Sequence, residues 1–370
     1  RPAVMPFARG TPQGVLDNVV VIPFNELEIS MALLEERAHQ IAGIIIDPYP
    51  ARLGFTAAEP AFLQALREFC DRNGSVLIFD EVFCNRASYH GAQGRAGVLP
   101  DLVALGKIIG GGFPIGAIGG RAAVMAVFDN LAGPPAVSHS GTFTGNPIAM
   151  AAGLAAMRLL TPETFDRLER QGDRLREGLT RQIDAAGLAM RANGFGSMTS
   201  LQLFRDPIRT YREFHLQSGA GYLRRMPDLH RHLLNEGVLM ATRGLMIGST
   251  PMTDADIAET IERCGRAFVR FAGAAAPGSA DAHRAPDQLL LERPHLAHAA
   301  HTRIAQPAQR RGLLLKQGLE TIHRGHHQQV FALAPALIAP QQLQLPGIYT
   351  PGAPRQHFLR QHGDILQAEV

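Results

Sequence analysis

The 370-residue chain holds 36 lysines and arginines, yet only two of them are lysines, Lys107 and Lys316. Lys107 lies in LGKIIGGGFP, between apolar residues and three consecutive glycines. An amine pressed among apolar neighbours loses solvation, which lowers its pKa. A neutral amine can then attack a carbonyl and form a Schiff base. An ordinary surface lysine is the competing reading. Gly110, Gly111 and Gly112 permit positive φ and close approach of another backbone or a ligand, although a plain turn uses glycines too.

Asp80 ends the apolar run SVLIFD. Ligands of α/β sheets sit beyond the carboxyl ends of the strands, so Asp80 stands at the ligand edge or caps the loop that follows. Glu81 points to the opposite face by strand alternation. A lysine and an acid placed this way suit pyridoxal 5'-phosphate, which needs an amine for its aldehyde and a carboxylate for its pyridinium nitrogen. The stretch SGTFTGNP adds the hydroxyls of Ser140, Thr142 and Thr144 ahead of a helix start at Pro147. Such a start offers N–H donors to a phosphate. N-capping by Thr144 or Asn146 would use the same residues.

The elements that must hold these groups follow an α/β rhythm. NVVVIPFN reads as a short strand, and Leu33 to Ile41 has a helical pattern. IAGIIID is a continuous apolar run of the kind buried on both faces of a parallel sheet. AEPAFLQALREFCDRNG reads as a helix with a glycine stop, and SVLIFD, DLVALGK and PIGAIGG continue the alternation. Asn146 to Leu160 predicts a small-residue helix that packs closely. Thr161, Pro162 and Glu163 open an amphipathic helix. MRANGFGSMTSLQLF and GVLMATRGLMIGS are strand-like, and Thr253 is placed to cap a last helix. From about Ala274 the composition shifts to His, Gln, Pro and Arg, with nine of the fifteen histidines and one helical candidate, Leu313 to Ile322. These histidines lack ligand spacing, so no metal site is expected.

Composition narrows the classes. A net charge of +3 argues neither for nor against a nucleic-acid partner, and none is expected. No apolar run approaches the roughly 20 residues that span a bilayer. Three distant cysteines fit a reduced, cytoplasmic chain better than a disulfide framework. GGGFPIG lacks the rhythm of a dinucleotide-binding loop.

LIFDEVFCNRASYHGAQGRAGVLPDLVALGKIIGGGFPIGAIGG, followed by HSGTFTGNPIAMAAGLAAM, resembles the class III (fold type I) pyridoxal-phosphate aminotransferases. It is most similar there to the glutamate-1-semialdehyde 2,1-aminomutase group and the β-amino-acid transaminases. The resemblance covers residues 15–272. It implies an α/β fold with a mixed, mostly parallel sheet in a large domain (1–158) and a small α+β domain (159–272), leaving 273–370 unassigned. It also implies amino-group transfer on a small amino or oxo acid, by a homodimer. Lys107 matches the Schiff-base lysine, Asp80 the acid at the pyridine nitrogen and Val82 the apolar residue on one ring face. Thr142 matches the threonine that reaches the neighbouring subunit's cofactor phosphate. Arg243 matches an arginine for the substrate carboxylate. Family members begin upstream of Arg1, with a phosphate-cradling loop and a ring-covering aromatic, so the chain reads as a fragment. An inactive remnant of such an enzyme is the alternative. The usual Glu-Pro is Asp47-Pro48 here, and FCNR and GTFTGNP also depart from the aminomutase pattern.

Overall fold

The computed structural model describes residues 4–6, 8–131, 133–219, 221–274 and 330–333. The helical candidate at 313–322 lies outside them. Two sheets organise the molecule. The larger is built from β1 (Val19–Ile22), β2 (Gly43–Ile46), β3 (Val76–Asp80), β4 (Leu102–Gly106), β5 (Gly116–Gly120) and β9 (Val330–Leu333), in the order β1-β9-β2-β3-β4-β5. β2, β3 and β4 are parallel. β9 runs antiparallel to both β1 and β2, so β1 shares their direction, and β5 returns antiparallel along β4. This is the mixed, mostly parallel sheet of an α/β fold.

α1 (Gln13–Asp17) and α2 (Leu27–Glu35) flank β1. The helix expected over Leu33 to Ile41 is displaced: α2 starts earlier, and a separate 3-10 turn covers Ala38–Gln40. The cause is Ser30. It is fully buried and donates its hydroxyl to the Pro23 carbonyl at 2.7 Å, so a polar residue occupies a core-facing position and breaks the apolar period. α3 (Pro60–Asn73) has Pro at its start and Gly74 in left-handed geometry at its end. Its Phe62, Leu66 and Phe69 are buried with Ile44, Ile46, Leu77 and Phe79. Each such side chain stabilises the fold by roughly 1.5–3 kcal/mol.

Asp101 locks the near ends of three strands. Its carboxylate accepts from the Leu77 N–H at 2.8 Å, Arg67 at 2.7 Å and Arg121 at 2.8 Å. Burial opposes its charge, but the Leu77 N–H and the two guanidiniums outweigh that and hold the carboxyl below its usual range. α4 (Gly91–Ala96) follows β3, and α5 (Ala122–Met125) follows β5.

The smaller sheet is antiparallel: β6 (Arg191–Phe195), β7 (Met198–Gln202) and β8 (Leu245–Ile247). α7 (Pro162–Ala185) packs on β6 and β7, and α9 (Tyr222–Asn235) and α10 (Asp254–Ala274) complete that unit. By contrast, α6 (Pro147–Leu159) lies against the turn after β4, and α8 (Tyr211–Ser218) sets Tyr211 and Phe214 on the first core. Thr161 accepts from the Thr164 N–H and Thr253 from the Asp256 N–H, so both expected caps are made. Leu179, Leu229, Leu233, Met240 and Phe268 form a second core. Among the described residues no helix is long and apolar enough to cross a membrane, and no group of three or more His, Cys, Asp or Glu could hold a metal.

Candidate active site

Asp80 and Lys107 come from neighbouring parallel strands. Asp80 is the last residue of β3 and sits in register with Ala104 of β4, three residues before Lys107. Its Oδ1 accepts the Val82 N–H at 3.1 Å, which fixes the carboxylate at the strand end. Val82 then packs against β4: a Cβ added at Gly106 would meet its Cγ1 at 3.3 Å. The acid, the apolar residue and the lysine therefore converge on the carboxyl ends of β3 and β4, where α/β sheets bind ligands.

Glu81 faces away, as alternation requires. It is fully buried and accepts the Ala92 N–H at 2.7 Å and the Gln93 N–H at 2.8 Å. Burial pushes its carboxyl up, against those two hydrogen bonds. Glu81 holds the start of α4 and so shapes the loop beyond β3. Arg86 in that loop donates to Ser197 Oγ at 3.2 Å and to the Gly248 carbonyl at 2.9 Å. The loop is thereby tied to the smaller sheet.

The burial expected of Lys107 is not found. Ile108 and Ile109 are half-buried, but the Lys107 side chain is exposed. The backbone supplies the reason: Lys107 has φ +52, which ends the strand alternation and turns the side chain outward. Its Nζ lies 5.4 Å from the centre of the Phe83 ring, within cation–π range. Phe83 itself stacks on Phe55 at 5.8 Å. Sequence reasoning missed Phe83, although it stands three residues after Asp80.

The glycine run serves close packing. A Cβ at Gly111 would lie 2.3 Å from the Ala152 carbonyl oxygen, and one at Gly153 would lie 2.2 Å from the Ile109 carbonyl oxygen. The small-residue helix α6 thus rests its backbone directly on the turn that carries Lys107. Asn146 caps α6, accepting the Ile148 and Ala149 N–H groups at 3.0 and 3.1 Å. Thr142 lies exposed just ahead of that helix start. Arg243 is exposed in the turn before β8, remote in sequence from the strand ends and close in space to Arg52.

A second acid stands behind the first. Asp47 follows β2 and accepts the Tyr49 N–H at 2.9 Å. Burial, with smaller contributions from the charges of Asp80 and Glu81, pushes its carboxyl up to about 7. The buried Cys84 thiol lies beside it, donates to the Asp80 carbonyl at 3.5 Å and is itself pushed well up, by burial first and then by Asp47. The Asp-Pro and Phe-Cys pairs were visible in the sequence as departures from a pattern, but nothing there placed them together.

The Aminotransferase class-III family profile matches residues 18–268. The chain belongs to that family. It is 36% identical over 271 residues to the glutamate-1-semialdehyde 2,1-aminomutase of Bacillus subtilis, covering 72% of this chain and 61% of that one. It is 38% identical to the β-phenylalanine transaminase of Variovorax paradoxus, covering 73% and 61%. Among solved structures, an ω-transaminase from Sphaerobacter thermophilus is 44% identical with a TM-score of 0.69, covering 72% of this chain and 60% of that one. The chain spans about three fifths of the length of these relatives. Class III aminotransferases use pyridoxal 5'-phosphate. The donor set here suits that group: an open amine, a fixed carboxylate, an apolar wedge and hydroxyls before a capped helix.

Proposed function

We propose that this chain carries an amino-group-transfer site that uses pyridoxal 5'-phosphate on a small amino or oxo acid, as an aminomutase or a transaminase. The observation that carries the reading is the meeting of Asp80, Val82 and Lys107 at the carboxyl ends of β3 and β4. Bound there, the cofactor would supply an electron sink for the pair left on the substrate Cα when its proton departs. Lys107 would anchor the cofactor covalently and would also serve as the base for the substrate Cα proton. Asp80 would pair with the pyridine nitrogen, and Val82 would support one ring face. Phe83 stabilises Lys107 when it is cationic. Arg243 receives the substrate carboxylate.

Thr142 serves the phosphate site of a second copy, which requires a homodimer. Exposed apolar residues that follow Thr142 in the sequence support that assembly: Phe143 is 71% exposed and Ile148 60%. The three cysteines are all free and buried, in keeping with a reducing cytoplasmic setting.

The test is spectroscopic, then kinetic. Addition of pyridoxal 5'-phosphate should give a visible absorbance band that borohydride removes and fixes to Lys107. Assays with glutamate-1-semialdehyde, and with an amine donor plus pyruvate or 2-oxoglutarate, separate mutase from transaminase. A protein that leaves the cofactor spectrum unchanged contradicts the reading.

A further inference from the structure

A cavity of about 630 Å³ lies between α7 and the turn that leads into α10. Asp80, Val82, Lys107, Thr142 and Arg243 take no part in its lining. Its volume falls in the range of roughly 300–1,000 Å³ that small-molecule sites occupy. The α7 wall carries Arg167, Arg170 and Arg174, and Asp254 is the one acid of the lining. Three guanidiniums against one carboxylate leave an excess of two positive charges.

These charges are not equivalent. Arg167 is half-buried and spends its donors on structure. It reaches the Thr250 carbonyl at 2.9 Å, the Met252 carbonyl at 3.3 Å and Gln171 Oε1 at 3.3 Å. The buried Gln171 donates to the Met252 carbonyl at 3.2 Å and to Asp254 Oδ1 at 3.0 Å. These bonds fix the 250–254 turn against α7 and build the cavity walls before any ligand arrives. Arg174 stands 3.8 Å from Asp254 Oδ2, beyond hydrogen-bond reach, with the two side chains 50% and 71% exposed. A pair so long and so exposed contributes little. Arg170 is exposed and has no hydrogen bond or ion pair among the described residues.

Arg170 and Arg174 are four residues apart on α7, so their Cβ atoms are about 5–6 Å apart on one helix face. Like charges at that spacing destabilise a helix, which an anion between them reverses. Each guanidinium presents a fork of N–H donors. A carboxylate fills one fork. A phosphate group has three free oxygens and roughly two negative charges, so it takes both forks and matches the excess charge of the lining. We propose that this cavity binds a phosphate-bearing small molecule, held by Arg170 and Arg174. The ligand would touch α7 and the start of α10, two helices that pack on each other in the second core, so binding should also stabilise the folded chain.

Calorimetry tests the site in the chain saturated with pyridoxal 5'-phosphate, which fills any phosphate site belonging to the cofactor. The probes are inorganic phosphate, glycerol 3-phosphate and acetate at matched ionic strength. The wild type should bind one phosphate per chain, at least about tenfold tighter than acetate, as an additional charge-assisted fork predicts. Glycerol 3-phosphate should bind at least as tightly, because the cavity has room for more than an ion. Arg170→Ala and Arg174→Ala should each weaken phosphate about tenfold, and the double variant should bind none. Both residues are exposed, and the thermal midpoint of the double variant without phosphate checks that it folds. Lys107→Ala should keep phosphate binding, so this site and the strand-end site are read separately. No phosphate binding by the wild type, equal binding of acetate, weaker binding of glycerol 3-phosphate, or unchanged binding in the double variant overturns the proposal.

Discussion

The carboxyl ends of β2 and β3 make the same local structure and give it opposite surroundings. Each strand is an apolar run closed by an aspartate. Each aspartate accepts the N–H two residues on, Tyr49 for Asp47 and Val82 for Asp80. Asp80 opens onto the edge where Lys107 stands. Asp47 turns inward onto Cys84, and burial pushes its carboxyl up to about 7. An identical turn thus delivers one acid to the open strand edge and one into the protein interior. Position in the sheet, rather than the turn, sets the role.

The largest effect separating the two acids should be on activity. On the function proposed above, Asp80→Asn should lower kcat by roughly 10²–10⁴-fold, the scale of a lost proton-handling group. Asp47→Asn should change kcat far less. Equal losses from both would erase the distinction.

The second effect is on stability. Asp47 has a raised pKa in the folded chain, so between about pH 4 and pH 7 the folded state holds a proton that the unfolded state has lost. Stability should therefore fall as pH rises through that window and level off above it, at about 1.4 kcal/mol per pKa unit. Asp47→Asn should flatten the slope and be the more stable protein at pH 8. Chemical denaturation across that range reads the difference, and a variant that parallels the wild type contradicts it.

A smaller change sharpens the same point. The neighbouring Cys84 thiol lowers the Asp47 pKa against burial. Cys84→Ala should move the midpoint of that pH dependence upward, whatever packing it also costs. Smallest of all, Phe83→Leu removes the ring beneath Lys107 and should cost about 0.5–1 kcal/mol, the value of an exposed cation–π contact. Chemical denaturation reads the loss, and an unchanged stability contradicts it.

Much of this arrangement could be read from the residues. The runs IAGIIID, SVLIFD and DLVALGK place three strand ends side by side, because continuous apolar runs imply burial on both faces. The glycines after Lys107 announced a close backbone approach, and Gly153 of α6 supplies its other half. Alternation alone sent Glu81 to the far face. What stayed hidden depends on tertiary context. The apolar flanks of Lys107 suggested burial, but its positive φ redirects the side chain, and that angle leaves no trace in a run of apolar letters. Ser30 masked the start of α2 by being a satisfied polar residue in the core. α8 was missed although Thr210 and Glu213 form a capping box, and α9 was missed because Pro227 sits within it. The Ala51–Leu53 turn and Gln202 of β7 come together because Gly54, at φ +63, puts no Cβ between them.

The central claim is that Lys107 is the covalent anchor, held open beside Asp80. Its most direct test is the visible spectrum of the purified protein with pyridoxal 5'-phosphate, followed by borohydride reduction and peptide mass analysis. The wild type should show a band, and after reduction one cofactor per chain on the peptide that contains Lys107. Lys107→Ala should show neither. A wild-type protein without the band, or a label carried on another residue, would contradict the account.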